Sequence, residues 1–165
     1  MSVNTAKVPG RRDLHFNSLV AMLAEAQRLA DAPRVTMLGN WTLGQVLGHL
    51  ATTMHMSLDG SKVKAAWYLR LVGPWLKKGL LSGPMPAGFR LPAKLARQMV
   101  PGEDVRVQEA MASFREAVER LKREEHRAPH VVFGRMTRAE WDRLHLRHAE
   151  MHLSFAVPEG EHSPG

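Results

Sequence analysis

Cysteine is absent from this sequence of 165 residues. Its absence excludes disulfide frameworks, iron–sulfur clusters, thiolate zinc sites and a cysteine nucleophile, so any metal site has to use histidine or carboxylate ligands. Long apolar runs are missing as well. No stretch approaches the ~18 consecutive apolar residues that span a bilayer, and the segment from Met1 to Gly10 lacks the apolar core of a signal peptide. We therefore expect a cytoplasmic protein.

Acidic residues are missing from one segment, Ser61 to Val100, while the whole chain carries a net charge of +7. The same segment is dense in glycine and proline, which predicts a long connection between regular elements. Between residues 62 and 81 tryptophan, tyrosine and leucine alternate with the cations, and we expect a broken helix there. The basic residues of the segment are Lys62, Lys64, Arg70, Lys77, Lys78, Arg90, Lys94 and Arg97.

Three interpretations of this basic segment remain open. Its apolar side chains can pack on the rest of the protein while the cations stay solvated. Its charges can instead line the mouth of a site and attract a carboxylate-bearing thiol or acid substrate. Finally, residues 62–81 can lie on an anionic membrane surface. Nucleic-acid binding is disfavoured because no recognisable reading motif accompanies the charge.

Helical periodicity dominates the remaining sequence, and the 44% hydrophobic and 24% charged content of the whole chain is that of a single globular domain. The pattern predicts one helix over Asp13 to Asp31 and three more, beginning near Thr42, after Pro101-Gly102 and near Thr137. Strand alternation is short and isolated, as at residues 131–133. An all-α four-helix bundle with a long central connection is therefore predicted.

We divide the chain accordingly. Residues 1–12 are expected to be a flexible N-terminus, residues 13–156 the bundle with the basic crossover at 61–100, and residues 157–165 a flexible tail. Both predicted helix starts that begin with threonine have the capping-box spacing, with Gln45 or Glu140 three residues later.

Three of the nine histidines, His145, His148 and His152, lie close together in the last predicted helix. At about 100° per residue all three point in roughly the same direction, and His148 and His152 are about 40° apart. Histidines four residues apart on a helix can bind one cation. A third ligand would come from another helix, and His49, which borders the apolar stripe of the second helix, is the best candidate. Helical histidine pairs are also common in purely structural roles.

Neighbouring polar residues suggest partners for these imidazoles. Gln45 lies one turn before His49, although its capping role competes for the same amide, and Asp142 lies one turn before His145. His145 itself is a candidate for lining the site. No residue stands out as a general base, so the catalytic residues are unknown at this point.

Two windows of the sequence resemble motifs of the DinB/YfiT-like superfamily. In the first, Gly39 to Ala51, Trp41 is followed eight residues later by His49-Leu50. The second runs from Phe133 to Phe155 and resembles the C-terminal motif. The similarity is closest to a branch that is a domain of unknown function.

The resemblance implies a four-helix bundle with a long central crossover over roughly residues 13–156. It also implies one nickel or zinc ion on three histidines, which correspond here to His49, His148 and His152. Relatives of this kind include S-transferases that use bacillithiol, mycothiol or glutathione, and a metal-dependent maleylpyruvate isomerase. Members commonly pair, so a homodimer is compatible with the resemblance.

Two functional hypotheses follow. The first is a divalent-metal-dependent enzyme, a thiol S-transferase or a metal-assisted hydrolase, in which the metal supplies a thiolate or hydroxide at neutral pH. Its partner would be a small molecule, such as a low-molecular-weight thiol. The second is a non-catalytic bundle that acts as a binding module or on an anionic membrane surface.

Overall fold

Helices make up most of the computed structural model, which describes residues 2–61, 67–88, 99, 100, 102 and 104–160. This bears out the all-α prediction in its general form, with a small sheet added. The elements within these residues are a 3₁₀ turn at Thr5–Lys7, α1 (Leu19–Asp31), β1 (Val35–Met37), α2 (Leu43–Asp59), α3 (Trp67–Ser82), α4 (Val107–Arg123), α5 (Arg138–Leu153) and β2 (Ala156–Pro158).

Capping boxes begin α2 and α5, as the sequence predicts. The Thr42 hydroxyl accepts the Gln45 amide at 3.2 Å, and the Gln45 side chain accepts the Thr42 amide at 2.9 Å. Thr137 and Glu140 make the same pair of bonds at 3.2 and 2.8 Å. Both helices therefore start at fixed residues, because amides without helical partners are satisfied reciprocally.

One hydrophobic core is shared by α1, α2, α4 and α5. The most extensive helix pairing is that of α2 with α4. Each of the four helices contributes side chains with essentially no exposed surface, and these include Met22, Leu29, Leu47, Leu50, Met54, Phe114, Leu121 and Leu153. This packing holds the middle of α2 against the C-terminal half of α5.

Two helix starts differ from the sequence prediction. The first helix begins at Leu19 rather than Asp13, because Ser18 caps it by accepting the Ala21 amide at 3.1 Å. Just before it, the Phe16 amide donates to the Glu150 carboxylate at 2.5 Å, so this stretch is tied to α5 instead of continuing the helix. The helix expected soon after Pro101-Gly102 begins at Val107.

The sheet joins the segment before α2 to the end of α5. β1 and β2 pair antiparallel, with Met37 opposite Ala156, and the Leu38 amide donates to the Phe155 carbonyl at 2.9 Å. β2 includes two residues, 157 and 158, that we assigned to the tail. Residues 131–133, where the sequence shows strand alternation, form a turn closed by two hydrogen bonds between His130 and Gly134.

The basic segment is described only in part. Residues 62–66 and 89–98 lie outside the described residues, and α3 covers much of the stretch predicted as a broken helix. α3 packs against α5, and the Lys77 ammonium lies 2.6 Å from the Glu140 carboxylate. Among the described helices, none has the length and apolar character needed to cross a bilayer.

Residues 2–12 run along the surface of the helical body. The Asn40 side chain accepts the Val3 amide at 2.6 Å and donates to the Val3 carbonyl at 2.8 Å. Further along, the Arg12 amide donates to the Ser154 carbonyl at 2.9 Å. This N-terminal segment therefore connects the start of α2 with the end of α5.

The close approach of α2 to the chain before α4 is testable with two glycines one turn apart. A Cβ on Gly44 would lie 2.1 Å from the Val105 carbonyl oxygen, whereas a Cβ on Gly48 would make an ordinary 3.6 Å contact with the Val105 side chain. We expect Gly44→Ala to lower the free energy of unfolding by about 3 kcal/mol. Gly48→Ala should leave it unchanged or raise it by up to about 1 kcal/mol. Urea unfolding followed by far-UV circular dichroism measures both, and equal effects would contradict the close approach.

Candidate metal centre

Three histidine rings meet where α2 faces α5. The ring centroids of His49 and His148 are 5.0 Å apart, those of His49 and His152 4.8 Å, and those of His148 and His152 4.7 Å. One nitrogen from each ring lies within 4.8 Å of the other two. The structure thus brings together the three histidines that the sequence singled out, and the cluster could hold a metal ion.

His49 is the least exposed member of the cluster, with 3% of its surface exposed. Its Nδ1–H donates to the Met99 carbonyl at 2.6 Å, which leaves Nε2 without a proton. This Nε2 lies 3.2 Å from Nε2 of His148, which therefore donates to it in the absence of an ion. The Met99 carbonyl orients the imidazole as an outer partner of a metal-ligating histidine does.

Trp41 forms one wall of the cluster. Its ring is parallel to that of His152, with an interplanar angle of 1° and centroids 5.3 Å apart, and it also contacts His49 at 4.9 Å. The position of Trp41 follows from the sheet, because the register of β1 and β2 carries the residues before α2 to the end of α5. In the sequence Trp41 is only a motif residue, and its stacking role emerges from the fold.

Burial keeps the three imidazoles neutral. It lowers the pKa of His49, lowers that of His148 well below its ordinary value, and lowers that of His152 to about 3. Mutual repulsion adds to the effect for His148 and His152, and the charge of Arg11 further lowers the pKa of His152. Neutral imidazole is the form that binds metal ions, so at pH 7 no proton has to be displaced from these rings.

Gln45 does not bond to His49, contrary to the expectation from their spacing. Its side-chain oxygen accepts the Thr42 amide in the capping box, and its Nε2 donates to the Gly102 carbonyl at 3.2 Å. The partner of His49 is instead the Met99 carbonyl. A backbone carbonyl carries no sequence signal, so spacing alone could not identify this contact.

His145 belongs to a neighbouring buried cluster. Its Nε2 lies 2.9 Å from the Ser57 hydroxyl, which itself donates to the Met54 carbonyl, so His145 is the donor. The ring stacks on Trp141 at 5.4 Å, and burial lowers the pKa of His145 to about 3. Asp142, expected as its partner, lies 3.6 Å from the Arg127 guanidinium.

An open groove of about 580 Å³ lies beside the cluster and shares Trp41 with it. None of the three histidines lines this groove, so it is a neighbouring space and not the histidine cluster itself. Its wall comes from the end of α1, from β1 and from the start of α2, and is mainly apolar apart from Arg34, Asn40 and Thr42.

Within the described residues, the metal-ligating group consists of histidines alone. Three imidazoles leave at least one position of a four-coordinate ion open to water or another ligand, which is the arrangement of reactive metal sites. The donor set is therefore chemically suited to a divalent transition metal.

The helices and the histidine cluster define a mostly helical protein with a candidate metal centre between two of its helices. The chain belongs to the family described as "Protein of unknown function (DUF1569)", whose profile matches residues 9–159. No curated protein matches the chain, and no solved structure matches it. The matched residues include all three histidines of the candidate metal centre, and the family description names no reaction.

The buried His145 makes the stability of the protein depend on pH. Its pKa of about 3 lies below the value of about 6.5 in unfolded chains, so between pH 7 and pH 5 only the unfolded state gains a proton there. The resulting loss in the free energy of unfolding is about 2 kcal/mol. His145→Gln keeps a donor for Ser57 but cannot titrate, and we expect it to lose about 2 kcal/mol less than wild type over this range.

Urea unfolding at pH 7 and pH 5 measures this difference. The matched control is Ser57→Ala, which removes the hydrogen-bond partner of His145 but keeps the titrating ring. Ser57→Ala should therefore retain the pH dependence of wild type. If the free energy of unfolding fell equally from pH 7 to pH 5 in wild type and His145→Gln, His145 would not be held neutral in the folded protein.

Proposed function

We propose that this chain binds one divalent metal ion, zinc or nickel, through His49, His148 and His152 and is a metal-dependent enzyme. The reaction classes that fit are thiol S-transfer and metal-assisted hydrolysis. The observation that carries the proposal is the convergence of three neutral imidazoles from two helices, with their nitrogens within 4.8 Å of one another.

The donor set is compatible with zinc or nickel. Imidazole suits both ions, and the absence of cysteine from the sequence removes the thiolate ligands that soft metals prefer. The orientation of His49 also supports a ligand role, because its Nδ1–H is engaged by Met99 and its Nε2 lone pair is directed at His148. A purely structural histidine pair needs no third imidazole in this position.

Membership of the DinB-like superfamily is part of the proposal. Trp41 and His49 stand at the spacing of its first motif, and in the fold these two rings contact each other at 4.9 Å. His148 and His152 stand at the positions of its C-terminal pair. Four helices that share one core, with the basic segment between the second and the last two, agree with the architecture that the resemblance implies.

A bound divalent ion would coordinate a thiol or a water molecule and lower its pKa, so that a nucleophile is available at neutral pH. The protein's own residues contribute orientation and shielding. Met99 fixes the His49 ring, and the parallel Trp41 ring limits rotation of His152. The same aromatic wall excludes water from one side of the cluster.

The first experiment is elemental analysis of tag-free protein after incubation with zinc or nickel and removal of excess ion. We expect about one ion per chain in wild type, and loss of that ion in His148→Ala because one of three ligands is missing. His145→Gln serves as the matched control, since it changes a buried histidine of the same helix outside the cluster. Equal metal content in wild type and His148→Ala, or none in either, would overturn the metal site.

Trp41 provides a second, independent measurement. Nickel quenches the fluorescence of a nearby indole, so titration of wild type should reduce its tryptophan emission. Trp41→Phe should lose most of this quenching, because Trp41 contacts the rings of His49 and His152. Trp75→Phe should keep it, because Trp75 lies on α3, which contributes no ligand to the cluster. Turnover with a low-molecular-weight thiol and a chromogenic electrophile, lost in His148→Ala, would then assign the S-transfer reaction.

A second candidate function is binding to an anionic membrane surface through residues 62–81. The observation that favours it is Trp75, which is 85% exposed, with the exposed Lys78 three residues later. An exposed tryptophan beside a cation is the combination that lies at the level of lipid headgroups. Lys77, by contrast, is engaged with Glu140 and holds α3 to α5.

Co-sedimentation with vesicles of phosphatidylserine and phosphatidylcholine tests this surface. We expect salt-sensitive binding that weakens roughly tenfold in Lys78→Glu, because the reversal changes two charges at an anionic surface. Lys122→Glu makes the same charge change on α4 and should leave binding intact. Equal binding of the two variants, or none by wild type, would remove the membrane-surface function.

A further inference from the structure

We propose that Arg11 binds a carboxylate of the molecule that coordinates the metal ion, and so selects anionic ligands. This inference rests on the proposed function, because it concerns the ligand of the same centre. It assigns a role to a residue of the N-terminal segment, outside both sequence motifs.

Arg11 is held against the residues that flank His152. Its Nε and Nη2 donate to the Ser154 hydroxyl at 3.0 and 2.8 Å, and Nη2 also donates to the Met151 carbonyl at 3.3 Å. The guanidinium carbon lies 4.3 Å from the centre of the Phe155 ring. These contacts orient the guanidinium beside the last turn of α5, where a metal ligand is located.

The charge of Arg11 is not neutralised by the protein residues that the structure describes. No carboxylate among these residues lies within salt-bridge distance of it, and the hydrogen bonds that it makes to them come from Nε and Nη2. The neighbouring arginines differ, since Arg12 pairs with Glu25 at 2.6 Å and Arg147 pairs with Glu150 at 3.0 Å. Partial burial also lowers the pKa of Arg11 from its ordinary value.

The histidine cluster supplies no negative charge to balance Arg11. Its three ligands are neutral, and no carboxylate belongs to the metal-ligating group among the described residues. A divalent ion would therefore add two positive charges beside the one on Arg11. A ligand that brings a negative donor to the ion and a carboxylate to Nη1 of Arg11 would balance these charges, and guanidinium–carboxylate hydrogen bonds are strong.

Cobalt(II) makes this proposal measurable, because its visible absorption reports ligand exchange at a centre with histidine ligands. Cobalt-loaded protein is titrated with 3-mercaptopropionate and, separately, with 3-mercaptopropanol, which carries a hydroxyl in place of the carboxylate. We expect wild type to prefer the carboxylate ligand. Arg11→Gln should reduce that preference roughly tenfold, the value of one charge-assisted hydrogen bond. Chelation of cobalt by the carboxylate itself contributes equally in both proteins and cancels in the comparison.

Two further variants distinguish the effect of the Arg11 charge from the effect of its position in the structure. Arg12→Gln removes a positive charge one residue away, where Glu25 already supplies a partner, and should keep the wild-type preference. Arg11→Lys retains the charge and should keep part of the preference. Cobalt content should stay near wild type in all three. Thermal unfolding checks that each variant is folded at the assay temperature, because Arg12→Gln removes the partner of a largely buried Glu25.

The outcomes are distinguishable. Failure of wild type to give a cobalt spectrum would overturn the proposed metal centre and this inference with it. A normal spectrum with the same ligand preference in wild type and Arg11→Gln would overturn only the role of Arg11. An equal loss of preference in Arg12→Gln would also overturn it, because the effect would then be one of general charge.

Discussion

The hydrogen bond from His49 Nδ1–H to the Met99 carbonyl, 2.6 Å long, is the interaction on which the rest of the site depends. A buried imidazole is costly unless its polar atoms are satisfied, and this bond satisfies one nitrogen while leaving the other as an acceptor facing α5. The same bond fastens the chain where it returns from the basic segment toward α4. Site geometry and the position of Met99 are therefore coupled through one residue of α2.

In both helices the histidine ligands lie at a defined angle from the capping threonine. His49 follows Thr42 by about two turns of α2, and His148 follows Thr137 by about three turns of α5, so both rings leave their helices on nearly the same side as the capping threonine. A shift of either start by one residue would change the angle between the capping threonine and the histidines by about 100°. The buried stripe of each helix, such as Leu47 and Leu50 of α2, determines that the ligands face the neighbouring helix.

The sequence was informative where local chemistry decides the structure. Helical periodicity, both capping boxes and the common direction of His148 and His152 depend on neighbours within a few residues, and the structure retains each of them. Long-range contacts were missed for the same reason. The start of α1 depends on the bond between Phe16 and Glu150, and the orientation of His49 depends on a backbone carbonyl; neither carries a local pattern. His145 has the spacing of a site residue, but its partner, Ser57, lies on another helix.

The small sheet has a consequence for the order of folding. Pairing of Met37 with Ala156 closes a loop that contains most of the chain, and the entropy of closing such a loop is lost before the three-residue ladder provides any compensation. The stacking of Trp41 on His152 requires this closure, whereas α2 and α4 can associate without it. We therefore expect the aromatic wall to form late, and the indole of Trp41 would report when the two ends of the domain meet.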